Sequence, residues 1–284
     1  MINQASTAEF ISSPVILTVA PNGARKTKKD HPALPISPSD LAKEADLCRR
    51  EGAAMIHLHV RDEQDGHTLD VKRYRDATKA IRDQVGDDIV IQATTEAVGI
   101  YSADQQMEMV LELQPEAVSL AIKELVPQGG EEKARSFFAE MKSLNIMPQF
   151  ILYSADDLMR CQTLIADGVI PVLNPFLLFV LGRYTAGQKS HPKDLLPFIE
   201  VTPEEAAWAV CAFGPLEHAA ASCALAMGGH VRVGFENNML LRDGRQATCN
   251  ADLVGQARDV AMAIGRSIAR AADIRAKFCG APVL

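Results

Sequence analysis

Short apolar runs alternate with amphipathic stretches along almost the whole chain. The runs Val15–Ala20, Met55–Val60, Ile89–Thr94, Ala117–Ala121, Met147–Leu152, Ile170–Leu173, Ala207–Phe213 and His230–Phe235 are dense in Val, Ile and Leu. Near-continuous apolar runs of this length predict strands buried on both faces. Between them, Ser39–Arg50, Lys72–Val85, Glu131–Leu144, Ala155–Asp167, Pro215–Met227 and Ala251–Ala271 follow helical spacing. The first of these opens on a Ser-Pro-Ser start and stops at Gly52. Strands alternating with helices imply parallel pairing through right-handed crossovers. Eight such strands predict an α/β chain folded as a TIM (β/α)₈ barrel, with an open doubly wound sheet as the alternative. No G-x-G-x-x-G follows the first strand, which counts against a dinucleotide-binding sheet. Only Gly182–Pro203, rich in Gly, Pro, Ser, His and Lys, breaks the rhythm. It is expected to be an extended connection with a short helix near Lys193–Phe198, serving as a lid or a subunit contact. With no repeat or low-complexity tract, one barrel domain over residues 1–284 is expected.

Composition narrows the partners. The chain has 284 residues, 48% hydrophobic and 23% charged, the balance of a soluble globular protein. Its net charge of -7 and 5% aromatics argue against nucleic acid, which needs a basic field and stacking platforms. The six cysteines (Cys48, Cys161, Cys211, Cys223, Cys249, Cys279) form no C-x-x-C pair, so a reducing compartment is the simpler expectation. No apolar run approaches a membrane span, and the N-terminus lacks the basic start and apolar core of a secretory signal. A cytoplasmic protein without a membrane partner is expected.

The candidate chemistry lies on two strands. Residues two apart on a strand share a face. In M-I-H-L-H-V-R-D, His57, His59 and Arg61 therefore lie opposite Ile56, Leu58 and Val60. Burying such a polar face is costly unless its groups find partners. In H-V-R-V-G-F-E-N-N, His230, Arg232, Gly234 and Glu236 share a face by the same period. In a closed barrel both strands neighbour the first, and Glu236 falls at the C-terminal end, where barrel active sites sit. Two imidazoles and one carboxylate leave an open coordination position, as catalytic zinc sites do. The metal ligands are therefore expected to be His57, His59 and Glu236, with His218 and His230 outside the set. A satisfied core histidine pair beside an ordinary loop acid is the plainer reading of the same residues.

The motifs I-H-L-H-V-R and G-G-H-V-R-V-G-F-E-N-N closely resemble those of the β-keto acid cleavage enzymes. So do A-P-N-G-A-R-K-T-K-K-D-H-P-A-L-P at Ala20–Pro35 and Q-A-T-T at Gln92–Thr95, so the resemblance spans nearly the whole chain. It implies a barrel that assembles as a homotetramer and holds zinc (Zn2+) on the two histidines and the glutamate. It also implies condensation of a β-keto acid with acetyl-CoA, giving acetoacetate and a new acyl-CoA. Arg232 matches the family's catalytic arginine, whose plainer role would be a salt bridge within the barrel. One position departs from the family: an aspartate follows the glutamate ligand there, whereas this chain has Asn237. An amide does not ionise, so Asn237 leaves the proton-handling role open.

Further candidates surround that core. Thr94 and Thr95 end the third strand, where a matching Ser/Thr in the family binds the substrate carboxylate. Threonine is also simply common in strands. Glu96, where some relatives carry glycine, is expected to reshape the pocket or add a recognition charge, and Ser119 is a weaker candidate. Asn22, Gly23 and Arg25 follow the first strand. Arg25 is expected to bind the substrate carboxylate or coenzyme A phosphates, while Lys26, Lys28 and Lys29 are expected to be solvated. Gly214-Pro215 opens a helix whose N–H groups are candidates for coenzyme A. Gln149 and Ile151 offer little charge, which predicts an uncharged substrate tail. The competing readings are a zinc-dependent aldolase or hydrolase working without coenzyme A, and a barrel that binds metal and ligand without turnover.

Overall fold

The computed structural model describes residues 13–172 and 174–278. Its eight parallel strands are β1 (Leu17–Val19), β2 (Met55–His57), β3 (Val90–Thr94), β4 (Ala117–Ala121), β5 (Met147–Leu152), β6 (Phe176–Leu181), β7 (Ala207–Ala212) and β8 (His230–Val233). They close in sequence order, with β1 paired to both β2 and β8. The TIM barrel expected from the alternation is therefore present. Alternation along each strand builds two apolar layers. Leu177, Phe179 and Leu181 pack outward with helix residues such as Leu41 and Tyr74. Phe176, Leu178 and Val180 pack inside with Met55, Met147 and Cys211. Burial of each large side chain contributes about 1.5–3 kcal/mol.

The helices that cover the barrel are α1 (Pro38–Arg50), α2 (Val71–Val85), α3 (Ala103–Leu113), α4 (Glu131–Ser143), α5 (Ala155–Ala166), α6 (Glu217–Ala226), α7 (Asn250–Ala263) and α8 (Ala271–Phe278). A capping box of Ser37 and Asp40, with Pro38 in the first turn, starts α1. Among the described residues no helix is long and apolar enough to cross a membrane. The described cysteines are free thiols, while Cys279 lies outside the described residues.

Three elements differ from the sequence expectation. The sixth strand is Phe176–Leu181, not Ile170–Leu173. The six-residue run F-L-L-F-V-L pairs along its whole length with β7 and over Phe176–Phe179 with β5. The shorter run contains Pro171, which has no N–H to give a ladder, and Leu173 lies outside the described residues. Helix α3 was not expected. A capping box of Ser102 and Gln105 starts it, and Met107, Met109 and Val110 bury its inner face. The helix expected over Ala251–Ala271 stops at Ala263, and a separate helix starts at Ala271. Gly265, at φ 84°, ends the first, and Arg266 then turns inward to donate to the Leu225 and Gly229 carbonyls. The 182–203 connection carries helical turns at Pro192–Leu195 and Leu196–Ile199, where a short helix was expected.

Candidate metal centre

β2 stops at His57, and His59 follows after Leu58 has turned into the outer apolar layer. Both imidazoles are buried, with their Nε2 atoms 3.2 Å apart. β8 stops at Val233, and Gly234 turns the chain at φ 139°. A Cβ there would stand 2.4 Å from the Ala20 carbonyl oxygen, so the turn requires glycine. The turn sets Glu236 over the barrel end, its Oε2 3.5 Å from both imidazole Nε2 atoms. Gly23 allows this: a Cβ on it would meet Glu236 Cγ at 2.6 Å. Ligand atoms of His57, His59 and Glu236 all lie within 4.8 Å of one another.

The electrostatics favour a cation. Burial pushes His57 well below the ordinary imidazole range, with Arg232 acting in the same direction, so the ring is neutral. Burial works to raise Glu236, yet Arg232 and then His59 and His57 hold its carboxyl well below the usual value. His57 Nδ1 lies 2.8 Å from the Gln92 amide oxygen. That oxygen only accepts, so Nδ1 bears the proton and Nε2 offers a lone pair. Gln92 is held in turn by Gln149 at 3.0 Å. Glu236 Oε2 is buried without a hydrogen-bond partner. A nitrogen lone pair of His57, the His59 Nε2 beside it and an unpaired carboxylate oxygen converge on one space, an arrangement that is costly without a counterion. The donor set matches a divalent transition metal.

A small cavity, about 20 Å³, opens on this cluster. His57, Thr94, Glu96, Arg232 and Glu236 line it from the β2, β3 and β8 side; Ile151, Tyr153, Val180, Phe213 and Arg183 line it from β5, β6 and β7. Arg232 is buried inside the barrel and donates to Glu236 Oε1 at 3.1 Å and to Cys211 Sγ at 3.1 Å; its Nε has no partner. Thr94 Oγ1 accepts from the Glu96 N–H at 3.1 Å, leaving its own hydrogen for a ligand.

Other sequence candidates are placed less directly. Glu96 is paired with Arg183 at 2.8 Å and with Arg25 at 3.5 Å. The Thr95 hydroxyl is spent on the Ser119 carbonyl, and Ser119 Oγ lies at 3.5 Å from His57 Nδ1; neither residue lines the cavity. The Asn22 amide donates to the His59 and Pro35 carbonyls and accepts from the His59 N–H, so it grips the His59 backbone. The Gly214 N–H donates to the Asn237 carbonyl and is not open to a phosphate. Asn237 is buried, its amide donating to the Arg232 carbonyl and its Oδ1 unpartnered. Arg61 does not face the cluster; it donates to the Gly23 and Lys26 carbonyls and ties down the loop after β1. The histidines set aside as ligands stand apart: His230 accepts from the Ile16 N–H at 3.1 Å inside the barrel, and His218 is half-buried on α6.

Sequence reasoning missed three participants. Lys26, expected in solvent, donates to the Phe235 and Glu236 carbonyls at 2.6 and 3.0 Å and fixes the loop that presents Glu236. Arg183 went unnoticed because the sixth strand was misplaced; with β6 ending at Leu181, it stands at a barrel strand's C-terminal end. His67 returns to the site on an antiparallel ribbon of Val60–Arg61 and His67–Thr68. The turn D-E-Q-D-G was the available signal: Asp62 accepts from the Gln64 and Gly66 N–H groups, and Asp65 adopts φ 59°.

The sequence profile of the beta-keto acid cleavage enzyme family matches residues 14–278. The chain belongs to this family. The 3-keto-5-aminohexanoate cleavage enzyme of Fusobacterium nucleatum is 32% identical over 271 residues, covering 92% of this chain and 96% of that one. The 3-oxoadipate:acetyl-CoA acetyltransferase of Cupriavidus necator is 27% identical over 276 residues, covering 94% and 95%. Apo ObcA superposes with a TM-score of 0.70 at 18% identity, covering 87% of this chain and 65% of that one, which shows the shared barrel. The beta-keto acid cleavage family and its acetyl-CoA-dependent relatives make this chain a Claisen-type acyltransferase.

Proposed function

We propose that this family member is a zinc-dependent β-keto acid cleavage enzyme whose substrate carries an uncharged tail. The observation that carries the metal reading is the convergence of two imidazole nitrogens on a buried, unpartnered carboxylate oxygen at the floor of the cavity. Held by His57, His59 and Glu236, zinc supplies Lewis-acid polarisation of a carbonyl oxygen, which makes the flanking carbon acidic. The tail reading rests on Ile151, Val180 and Phe213 facing the cavity, while Glu96 and Arg183 neutralise each other.

In the proposed reaction, the carbon between the substrate's two carbonyls bonds to the acetyl carbon as the C–S bond of acetyl-CoA breaks. The original bond to the keto carbon then breaks, releasing acetoacetate, and the remaining acyl group ends on coenzyme A. Thr94 binds the substrate carboxylate through its free hydroxyl hydrogen. Arg232, buried with an unpartnered Nε, holds negative charge as it develops. The apolar wall excludes water and so protects the thioester. Arg25 is assigned to the coenzyme A phosphates or the substrate carboxylate, from the exposed rim. Asn237 neither gives nor takes a proton, so its position restrains turnover. A single domain, homotetrameric assembly and a cytoplasmic location, carried by the sequence pattern and the resemblance, complete the proposal.

The test is to incubate the zinc-loaded protein with β-keto acids bearing neutral, cationic and anionic tails, with and without acetyl-CoA. Acetoacetate and the matching acyl-CoA are expected from neutral-tailed substrates only in the presence of acetyl-CoA. No acetoacetate from any substrate would overturn the reaction, and turnover without acetyl-CoA would favour an aldolase or hydrolase. Restoring an acid by Asn237→Asp is expected to raise kcat about tenfold or more, since a positioned general acid or base contributes about 10²–10⁴-fold. Unchanged kcat would show that this position handles no proton.

A further inference from the structure

We infer that His67 is a positioning residue for the metal centre, holding His59 in the tautomer that leaves its Nε2 free for an ion. The inference rests on the metal reading above and concerns a side chain outside the ligand set. His67 is buried and stands opposite Arg61 in the short ribbon that follows β2. Its Nε2 lies 2.9 Å from the Glu96 carbonyl oxygen. A carbonyl only accepts, so that nitrogen carries the ring's proton.

The neutral ring therefore turns a lone pair at Nδ1 toward His59 Nδ1, 3.3 Å away. Of two ring nitrogens this close, one must carry a proton unless a cation stands between them; with the His67 proton given to Glu96, His59 supplies the one in this contact. His59 Nε2 is then a lone pair, 3.2 Å from His57 Nε2 and 3.5 Å from Glu236 Oε2. The relay runs from the backbone of Glu96 through His67 to His59. It does for His59 what the Gln92 amide does for His57. The ribbon turn closed by Asp62 keeps His67 in reach, so a surface turn sets a ligand's protonation pattern. Outer partners of metal-binding histidines typically change metal affinity 10–100-fold when removed.

Two variants and one spectrum test this. His67→Leu fills similar space without an acceptor, whereas His67→Asn places an amide oxygen where Nδ1 stood. Zinc affinity, measured by chelator competition, is expected to fall about 10–100-fold in His67→Leu. In His67→Asn it is expected to stay within about threefold of the parent, because the acceptor remains. Nitrogen-15 spectra of the metal-free parent protein are expected to show His59 protonated at Nδ1, with that preference lost in His67→Leu. An Nε2-protonated His59 in the parent, or a His67→Leu variant with unchanged affinity, would overturn the inference. A parent protein that takes up no metal would instead sink the metal reading, while the metal-free spectrum still judges the role of His67. Should His67→Leu fail to fold, the parent spectrum and His67→Asn decide the matter.

Discussion

Glu236→Ala is expected to release the metal and cut turnover about a thousandfold. Two losses combine at this position. The carboxylate supplies one of three converging ligand atoms among the described residues, and it is the one that brings negative charge to hold a dication. Lewis-acid stabilisation contributes several kcal/mol to such a transition state, and each ~1.4 kcal/mol is tenfold in rate. The substitution also strands the buried Arg232 guanidinium, whose carboxylate partner lies 3.1 Å away. Leaving a buried charge unpaired typically costs about 3–5 kcal/mol, so the melting temperature should fall as well. Metal content by atomic emission and kcat on the best β-keto acid are the measurements. His57→Ala removes a different ligand and spares the Arg232 pair, so it separates the two losses: metal should go while stability changes less. Full zinc occupancy in both variants would refute the site.

Arg232→Met is expected to lower kcat by about 10²–10³-fold while the protein still binds metal. The guanidinium is 4% exposed, sits on the inner face of β8, and borders the cavity with one N–H uncommitted. Preorganised donors of this kind act on charge that develops during reaction, and deleting one typically costs that much rate. A purely structural role predicts a different split: lower thermal stability with kcat intact. Steady-state kinetics alongside thermal melts of the zinc-loaded variant distinguish the two. An unchanged kcat would return Arg232 to a salt bridge.

The convergence of His57, His59 and Glu236 was legible in the sequence because strand geometry is simple. A period of two puts His57 and His59 together, and the same period carries Arg232 inward and Glu236 to the strand end. In the structure neither His59 nor Glu236 is on a strand, since β2 and β8 end at His57 and Val233. The prediction of convergence survived because both chains leave the barrel at the same end, and Gly234 supplies the turn that a strand would not. Arg61 shows where the rule stops. Beyond the last ladder residue, its direction is set by the Gly23 and Lys26 carbonyls rather than by the pleat.

The alternation of apolar runs and amphipathic stretches by itself determined the α/β class and made a barrel the leading expectation, and two short motifs brought His57, His59 and Glu236 toward its end. Both are consequences of local periodicity acting through burial. Tertiary structure decided the rest. It closed the barrel through the β1–β8 pair. It chose Phe176–Leu181 over Ile170–Leu173, because a barrel strand must pair on both edges, and so it brought Arg183 to the cavity. It took Lys26 out of solvent and onto the Glu236 loop, and it spent the Gly214 N–H on Asn237. It also placed Gln92 and His67 behind the two ligands. The bond from Gln92 to His57 spans 35 positions and leaves no periodic trace, so that partner is visible only after the chain has folded, whereas the turn that returns His67 is marked locally by Asp62 and Gly66.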